Sequence, residues 1–107
     1  MPTAIESLDS FRKIIDSEEP CIIDFWASWC GPCRMIAPVY EKMSNENPKL
    51  KFYKVDVDAQ QDIMNECGIQ AMPTFQVYHK GNKIDEMKGA IPQQLQGLVQ
   101  KGTSLAP

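Results

Sequence analysis

Apolar side chains fall into two rhythms along this chain, and each change of rhythm marks a change of element. Leu8, Phe11, Ile14 and Ile15 stand at helical spacing behind Ser7, a capping residue type, and follow a short extended segment at Thr3 to Glu6. A strand and then a helix are predicted there. The run Cys21-Ile22-Ile23-Asp24-Phe25-Trp26-Ala27 is almost continuously apolar, short, and rich in β-branched and aromatic residues. Such a run predicts a strand covered on both faces.

Beyond Cys33, the positions Met35, Ile36, Val39, Tyr40 and Met43 form a second helical stripe that reaches Asn47, before Pro48. Pro38 lies inside it and removes a backbone donor, but the stripe persists, so a kinked helix is predicted rather than a helix end. Leu50 to Val57 reads as a strand, and Asp58-Ala59-Gln60-Gln61 resembles a capping box opening a helix that stops at Gly68. Thr74 to Tyr78 and Lys83 to Lys88 flank the turn-like Lys80-Gly81-Asn82, as in a hairpin. Leu95, Leu98 and Val99 mark a closing helix that starts near Pro92. Crossover units followed by a hairpin predict an α/β fold with a mixed sheet and helices on both faces. The second strand falls near the centre, and the loop at its C-terminal end falls in a crevice.

A chain of 107 residues fits one domain spanning 1–107, with neither repeat nor linker to divide it. At this length folding buries roughly two-thirds of the unfolded surface, so no metal or structural disulfide is needed and the cysteines are free for chemistry. The composition, 43% hydrophobic and 23% charged with a net charge of −3, is that of an ordinary globular protein. Eleven basic residues scattered among fourteen acidic ones form no stripe for phosphates, which argues against nucleic acid as a partner. The N-terminus has neither a basic n-region nor a long apolar h-region, and no apolar run approaches membrane-spanning length. The expectation is a cytoplasmic protein with no membrane partner.

The chemistry gathers where the buried strand meets the next helix. Of four cysteines, Cys30 and Cys33 form a pair while Cys21 and Cys67 are single, a pattern that in a reducing compartment favours a catalytic or metal-binding pair over structural bridges. In Trp29-Cys30-Gly31-Pro32-Cys33, Cys30 falls at a helix N-terminus, where unpaired N–H groups and the helix dipole favour the thiolate that attacks disulfides. Two intervening residues let Cys33 close a small ring with Cys30, and Pro32 suits the first helical turn. Asp24 interrupts the apolar strand, and burial there should raise its pKa toward the range useful to a general acid or base. Lys54, expected to point inward from the neighbouring strand, would partly offset that rise.

Phe25-Trp26-Ala27-Ser28-Trp29-Cys30-Gly31-Pro32-Cys33 resembles the active-site signature of the thioredoxin family, preceded by Asp24 at the family's buried-aspartate position. Met72-Pro73-Thr74 is similar to its cis-proline segment, Lys54 to its buried lysine, and Gly89-Ala90 to the glycine beside its substrate groove. The resemblance runs through essentially the whole chain. It implies a thioredoxin fold, a central five-stranded mixed β-sheet flanked by four α-helices, acting as a protein disulfide reductase and electron carrier. Gly31-Pro32 resembles the spacer of thioredoxins rather than the Gly-His of protein disulfide isomerase domains or the Pro-Tyr of glutaredoxins, so reduction is the implied direction.

The implied mechanism has Cys30 attack a substrate disulfide, Cys33 resolve the mixed disulfide, and Asp24, through a water, accept the Cys33 proton, with Lys54 beside it among the catalytic residues. Trp29, Gly31, Pro32, Met72, Pro73, Gly89 and Ala90 would form the substrate-binding surface. A cis bond before Pro73 would let the Met72 backbone pair with an extended substrate segment. The family also implies no bound cofactor beyond the Cys30–Cys33 disulfide, and electrons from NADPH through thioredoxin reductase. Its substrates are protein disulfides of the peroxiredoxin, methionine sulfoxide reductase and ribonucleotide reductase type, met by a monomer.

Other readings of these residues stand beside this one. A Cys-x-x-Cys pair is also half of a structural zinc site, but Cys21, Cys67 and the sole histidine, His79, supply no second pair at ligand spacing. Asp24 as a structural residue satisfied by backbone groups remains open on spacing alone. So does a redox-inert binding module using the same groove, against which the intact cysteine pair argues. Trp26 reads as core and Cys21 as a small apolar strand residue.

Overall fold

The computed structural model describes residues 1–107. Five strands and four helices follow in the order β1 (Thr3–Ala4), α1 (Leu8–Ile15), β2 (Cys21–Trp26), α2 (Gly31–Glu46), β3 (Lys51–Asp56), α3 (Gln61–Cys67), β4 (Thr74–His79), β5 (Asn82–Lys88) and α4 (Pro92–Thr103). They form one mixed sheet, as the alternation of elements predicts, with strand order β1-β3-β2-β4-β5. β1, β3 and β2 run parallel, which requires the crossovers through α1 and α2, while β4 lies antiparallel to both β2 and β5. β2 is thus central, and every residue in it except Trp26 is buried.

Alternation along β2 sends successive side chains to opposite faces. Ile23 and Phe25 join Phe11, Val55 and Ile63 in the core under α1 and α3. Ile22 joins Ile36, Tyr40, Phe52, Phe75 and Leu95 in the core under α2 and α4. Asp24, two residues on from Ile22, therefore points to the α2 side, and so does its ladder partner Lys54, two residues on from Phe52. The position of the acid beneath α2 follows from strand parity alone.

Three local expectations meet corrections. β1 is two residues rather than Thr3 to Glu6: Ile5 N–H still donates to the Lys54 carbonyl at 2.9 Å, but Ser7 turns away to cap α1, its hydroxyl accepting from Ser10 N–H. The Asp58 capping box does not form. The Asp56 carboxylate instead accepts from the N–H groups of Asp58 and Ala59, an Asx turn that delays α3 to Gln61, behind Gln60 with no side-chain cap. The hairpin turn is two residues, Lys80 (φ 54°) and Gly81 (φ 84°), consecutive left-handed positions that match the twist of β4 and β5. α2 runs through Pro38, and α3 ends at Gly68 with φ 65°. No helix is long and apolar enough to cross a membrane.

Candidate active site

β2 ends at Trp26, and the chain turns through Ala27–Trp29 with Cys30 N–H donating to the Ala27 carbonyl at 3.1 Å. Cys30 is the N-cap of α2, in extended backbone (φ −87°, ψ 108°), and its sulfur accepts from Cys33 N–H at 3.1 Å. Sulfur here does the work that a serine or aspartate oxygen does at other helix starts, so the helix end that would stabilise a cap oxyanion stabilises a thiolate. A disulfide joins Cys30 to Cys33 across 5.3 Å between their Cα atoms. Pro32 is exposed in the first turn, where its missing N–H has no helical partner to lose, and Gly31 is half-buried beside it.

Three loops converge on the sulfurs. The Met72–Pro73 peptide is cis, and the Met72 carbonyl oxygen lies 3.5 Å from Cys30 Sγ. The disulfide sulfur has no hydrogen to donate, so this is a contact that becomes an S–H···O bond only on reduction. Thr74 Oγ1 donates to the Ala71 carbonyl, and Gly89 N–H donates to the Pro73 carbonyl at 2.9 Å, which ties the end of β5 to the proline loop. Gly89 has φ 97°, a conformation that favours glycine. Ala90 follows it, half-buried against the α2–α4 core. Trp29 is 64% exposed, and its indole N–H donates to Asp58 at 3.0 Å.

Behind the disulfide lies a cavity of about 190 Å³ lined by Asp24, Trp26, Cys33, Arg34, Ala37 and Lys54. Cys33 borders it and Cys30 does not, which makes the two sulfurs chemically unequal although both are buried. Asp24 is 5% exposed, and burial pushes its carboxyl up to about 7 even though Lys54 pulls it down. Asp24 Oδ1 and Trp26 Nε1 have no protein partner, and the cavity they share is roomy enough for the water that such groups require.

Lys54 is not the buried lysine that the resemblance implies. It is exposed, although β1 pairs with its position of β3 through Ala4. It reaches Asp24 through ladder register rather than through burial.

Four neighbours escaped the sequence reading. Trp26, Arg34 and Ala37 line the cavity, and Asp58 holds the Trp29 indole. Trp26 could have been found by parity, since it follows Asp24 by two on the same face of β2. Ala37 follows Cys33 by four and so shares its face of α2. For Asp58 there was no local signal, because its contact with Trp29 spans 29 residues.

A cysteine pair capping a helix at the end of a central strand, faced by a cis-proline loop, defines a thiol–disulfide oxidoreductase of α/β architecture. The comparisons name it more closely. The family model for thioredoxin matches residues 2–101. A thioredoxin of Coprinus comatus is 53% identical over 103 residues, covering 94% of this chain and 97% of that protein. The crystal structure of Malassezia sympodialis thioredoxin superposes with a TM-score of 0.93 at 46% identity, covering 96% of this chain and 91% of the other. A structure describing thiol resolution in yeast mitochondrial 1-Cys peroxiredoxin via glutathione/thioredoxin systems gives a TM-score of 0.89 at 37% identity, covering 94% of each chain. The chain belongs to the thioredoxin family. It is a protein disulfide reductase whose redox centre is the Cys30–Cys33 pair, and its partners are, in general, a reductase and disulfide-bearing proteins.

Proposed function

We propose that Cys30 is the attacking cysteine and Cys33 the resolving one, with Asp24 accepting the Cys33 proton through water and Lys54 tuning its charge. The observation that carries this reading is the inequality of the sulfurs: Cys30 caps α2 beside the Met72 carbonyl, while Cys33 shares the inner cavity with Asp24. In the reaction, Cys30 thiolate attacks one sulfur of a substrate disulfide and expels the other as thiolate. Cys33, losing its proton to Asp24, then attacks Cys30 Sγ; the Cys30–Cys33 bond forms as the bond to substrate breaks, and two electrons have passed to the substrate.

Trp29, Gly31, Pro32, Met72, Pro73, Gly89 and Ala90 form the surface that receives an extended segment around the target disulfide. The reading takes 1–107 as one domain working as a cytoplasmic monomer, recharged from NADPH by thioredoxin reductase with no cofactor of its own. Its targets are disulfides of the peroxiredoxin, methionine sulfoxide reductase and ribonucleotide reductase type. The scattered charge of the chain and its unpaired Cys21 and Cys67, which suit a reducing compartment, support that placement.

The test is NADPH oxidation in a mixture of thioredoxin reductase, insulin and the chain. Turnover that requires all three components, and that Cys30→Ser abolishes, is the expected result. Binding of insulin without turnover would instead mark a redox-inert module.

A further inference from the structure

A second cavity of about 160 Å³ continues from the first along α2. Asp24, Ala37 and Lys54 line both, but where the first adds Cys33, Trp26 and Arg34, the second adds Tyr40, Glu41 and the N-terminal Met1 and Pro2. Helical spacing explains the sequence of walls. Cys33, Ala37 and Glu41 recur every four residues on one face of α2 and span about 12 Å of its axis. The smallest of the three stands in the middle, so the helix leaves an opening on either side of Asp24. Each cavity is large enough to hold water.

Resolution takes place while a protein substrate is still bonded to Cys30 and lies over the rim formed by Trp29, Met72 and Gly89. The proton from Cys33 needs a way out that the substrate does not cover. Lys54 borders both cavities; the first adds a second cation, Arg34, with no further anion to offset it, whereas the second adds the N-terminal ammonium together with an anion that offsets it. The second carries an exposed carboxylate, Glu41.

We propose that the proton taken by Asp24 leaves through the second cavity, with Glu41 as the outer carboxylate that passes it to solvent. This rests on the reading of Asp24 as the acceptor of the Cys33 proton. Cys33 S–H gives its proton to the Asp24 carboxylate as Cys33 attacks Cys30, and the electron pair of the broken bond departs on the substrate thiolate. An Asp24 that is already protonated must first lose its proton through cavity water to Glu41 and then to bulk before it can accept that of Cys33, so resolution under a covered rim waits on this exit.

The other groups around this exit suit the task. Lys54 favours the charged form of Asp24 and so drives release. Tyr40 is fully buried with its hydroxyl 2.7 Å from the Tyr53 carbonyl, and burial holds its pKa well above the ordinary value, so it remains neutral. The N-terminal ammonium is engaged by Asn45 Oδ1 at 3.2 Å.

The experiment measures the single-turnover resolution rate by quenched flow with thiol alkylation, using insulin, which covers the rim, and a small aromatic disulfide, which does not. Asp24→Asn is expected to slow both. Glu41→Gln is expected to slow insulin several-fold and leave the small disulfide unchanged; Glu41→Asp and added imidazole buffer should restore the lost rate. If Asp24→Asn slows both while Glu41→Gln slows neither, the exit is elsewhere and the role of Asp24 survives. Wild-type rates in Asp24→Asn would remove the acceptor and the exit together. Equal slowing of both substrates by Glu41→Gln, insensitive to imidazole, would mean a structural effect and overturn the proposal.

Discussion

Asp24 and Lys54 are Cα partners across the parallel β2–β3 ladder, yet the acid is 5% exposed and the lysine is open to solvent. The pair is therefore not a buried salt bridge. Its cation remains hydrated, and its attraction for the carboxylate offsets only part of the desolvation that raises the Asp24 pKa.

Replacing Lys54 by methionine keeps the stem and removes the charge, so the Asp24 pKa should rise further above its value of about 7. Carboxyl titration by NMR reads this directly. An unchanged midpoint would mean that solvent screens the lysine completely and that its proximity has no electrostatic consequence.

The unequal surroundings of the two sulfurs predict unequal trapping. Cys33→Ser should accumulate mixed disulfides between Cys30 and substrate, whereas Cys30→Ser should accumulate none and lose reductase activity. Mass spectrometry after incubation with insulin distinguishes the two. Equal adducts on both variants would mean that either cysteine attacks, contrary to the asymmetry of the cavity.

Most of the architecture was legible because hydrophobic period maps directly onto element type: the apolar run of β2, the stripe of α2 and the turn at Lys80-Gly81 each left a local signal. The site was legible where it is contiguous, as in Trp29-Cys30-Gly31-Pro32-Cys33, or where an ionisable residue breaks an apolar run, as at Asp24. The exposure of Lys54 was not, because strand parity gives the face on which a lysine stands and not how far its long stem reaches toward solvent. The true start of α3 was hidden for a related reason: Asp56 and Asp58 are both turn formers, and only the three-dimensional chain path decides which carboxylate bonds the free N–H groups. The cavity is a product of α2 packing on β2 and has no signature beyond the parity of Trp26 and the spacing of Ala37.

Gly89 offers a backbone prediction. At φ 97° a side chain is strained, but no atom lies within 4 Å of where a Cβ would stand, so Gly89→Ala should cost only the conformational term, about 1–2 kcal/mol. Because Gly89 N–H holds the Pro73 carbonyl, reductase activity should fall chiefly through KM as the loop beside Cys30 shifts. Denaturant midpoints and insulin kinetics measure the two effects. A loss confined to kcat would contradict a docking role for this loop.

A second buried polar residue, Gln76, tests the sheet itself. Its side chain is fully buried, accepting from the Tyr78 hydroxyl at 2.7 Å and donating to Glu86 at 2.6 Å, and this bond is the main reason the Glu86 carboxyl lies below its ordinary pKa. Gln76→Leu leaves the Tyr78 hydroxyl without its acceptor, at a cost of about 1–3 kcal/mol. The Glu86 pKa should then move up. The stability that a lowered carboxylate contributes, present above its unfolded pKa and lost as pH falls through the folded one, should shrink with it. Thermal midpoints at pH 7 and pH 3 decide this: an equal deficit for Gln76→Leu at both would exclude any linkage to Glu86.

Asp24 gives the prediction with the clearest sign. Its folded pKa of about 7 lies above the ordinary aspartate value of 3.8, so the native state holds a proton that the unfolded chain releases between those two values. Stability attributable to this group is complete below the unfolded pKa and falls as pH rises through the folded one, flattening above it. A gap of this size corresponds to at most about 4 kcal/mol, so Asp24→Asn, which cannot ionise, should be the more stable protein at pH 8 and lose that advantage toward pH 3. Activity should move the other way, because a Cys33 thiol without its base deprotonates less readily and the mixed disulfide resolves more slowly near neutral pH. The opposite signs separate this role from a structural one: an aspartate kept for packing or hydrogen bonding would lose stability on replacement and leave resolution unchanged. Denaturation midpoints across pH, paired with single-turnover reduction of insulin by both proteins, measure the two signs on the same samples. If Asp24→Asn is less stable at pH 8 and resolves at the wild-type rate, Asp24 is a structural residue and the proton of Cys33 goes elsewhere.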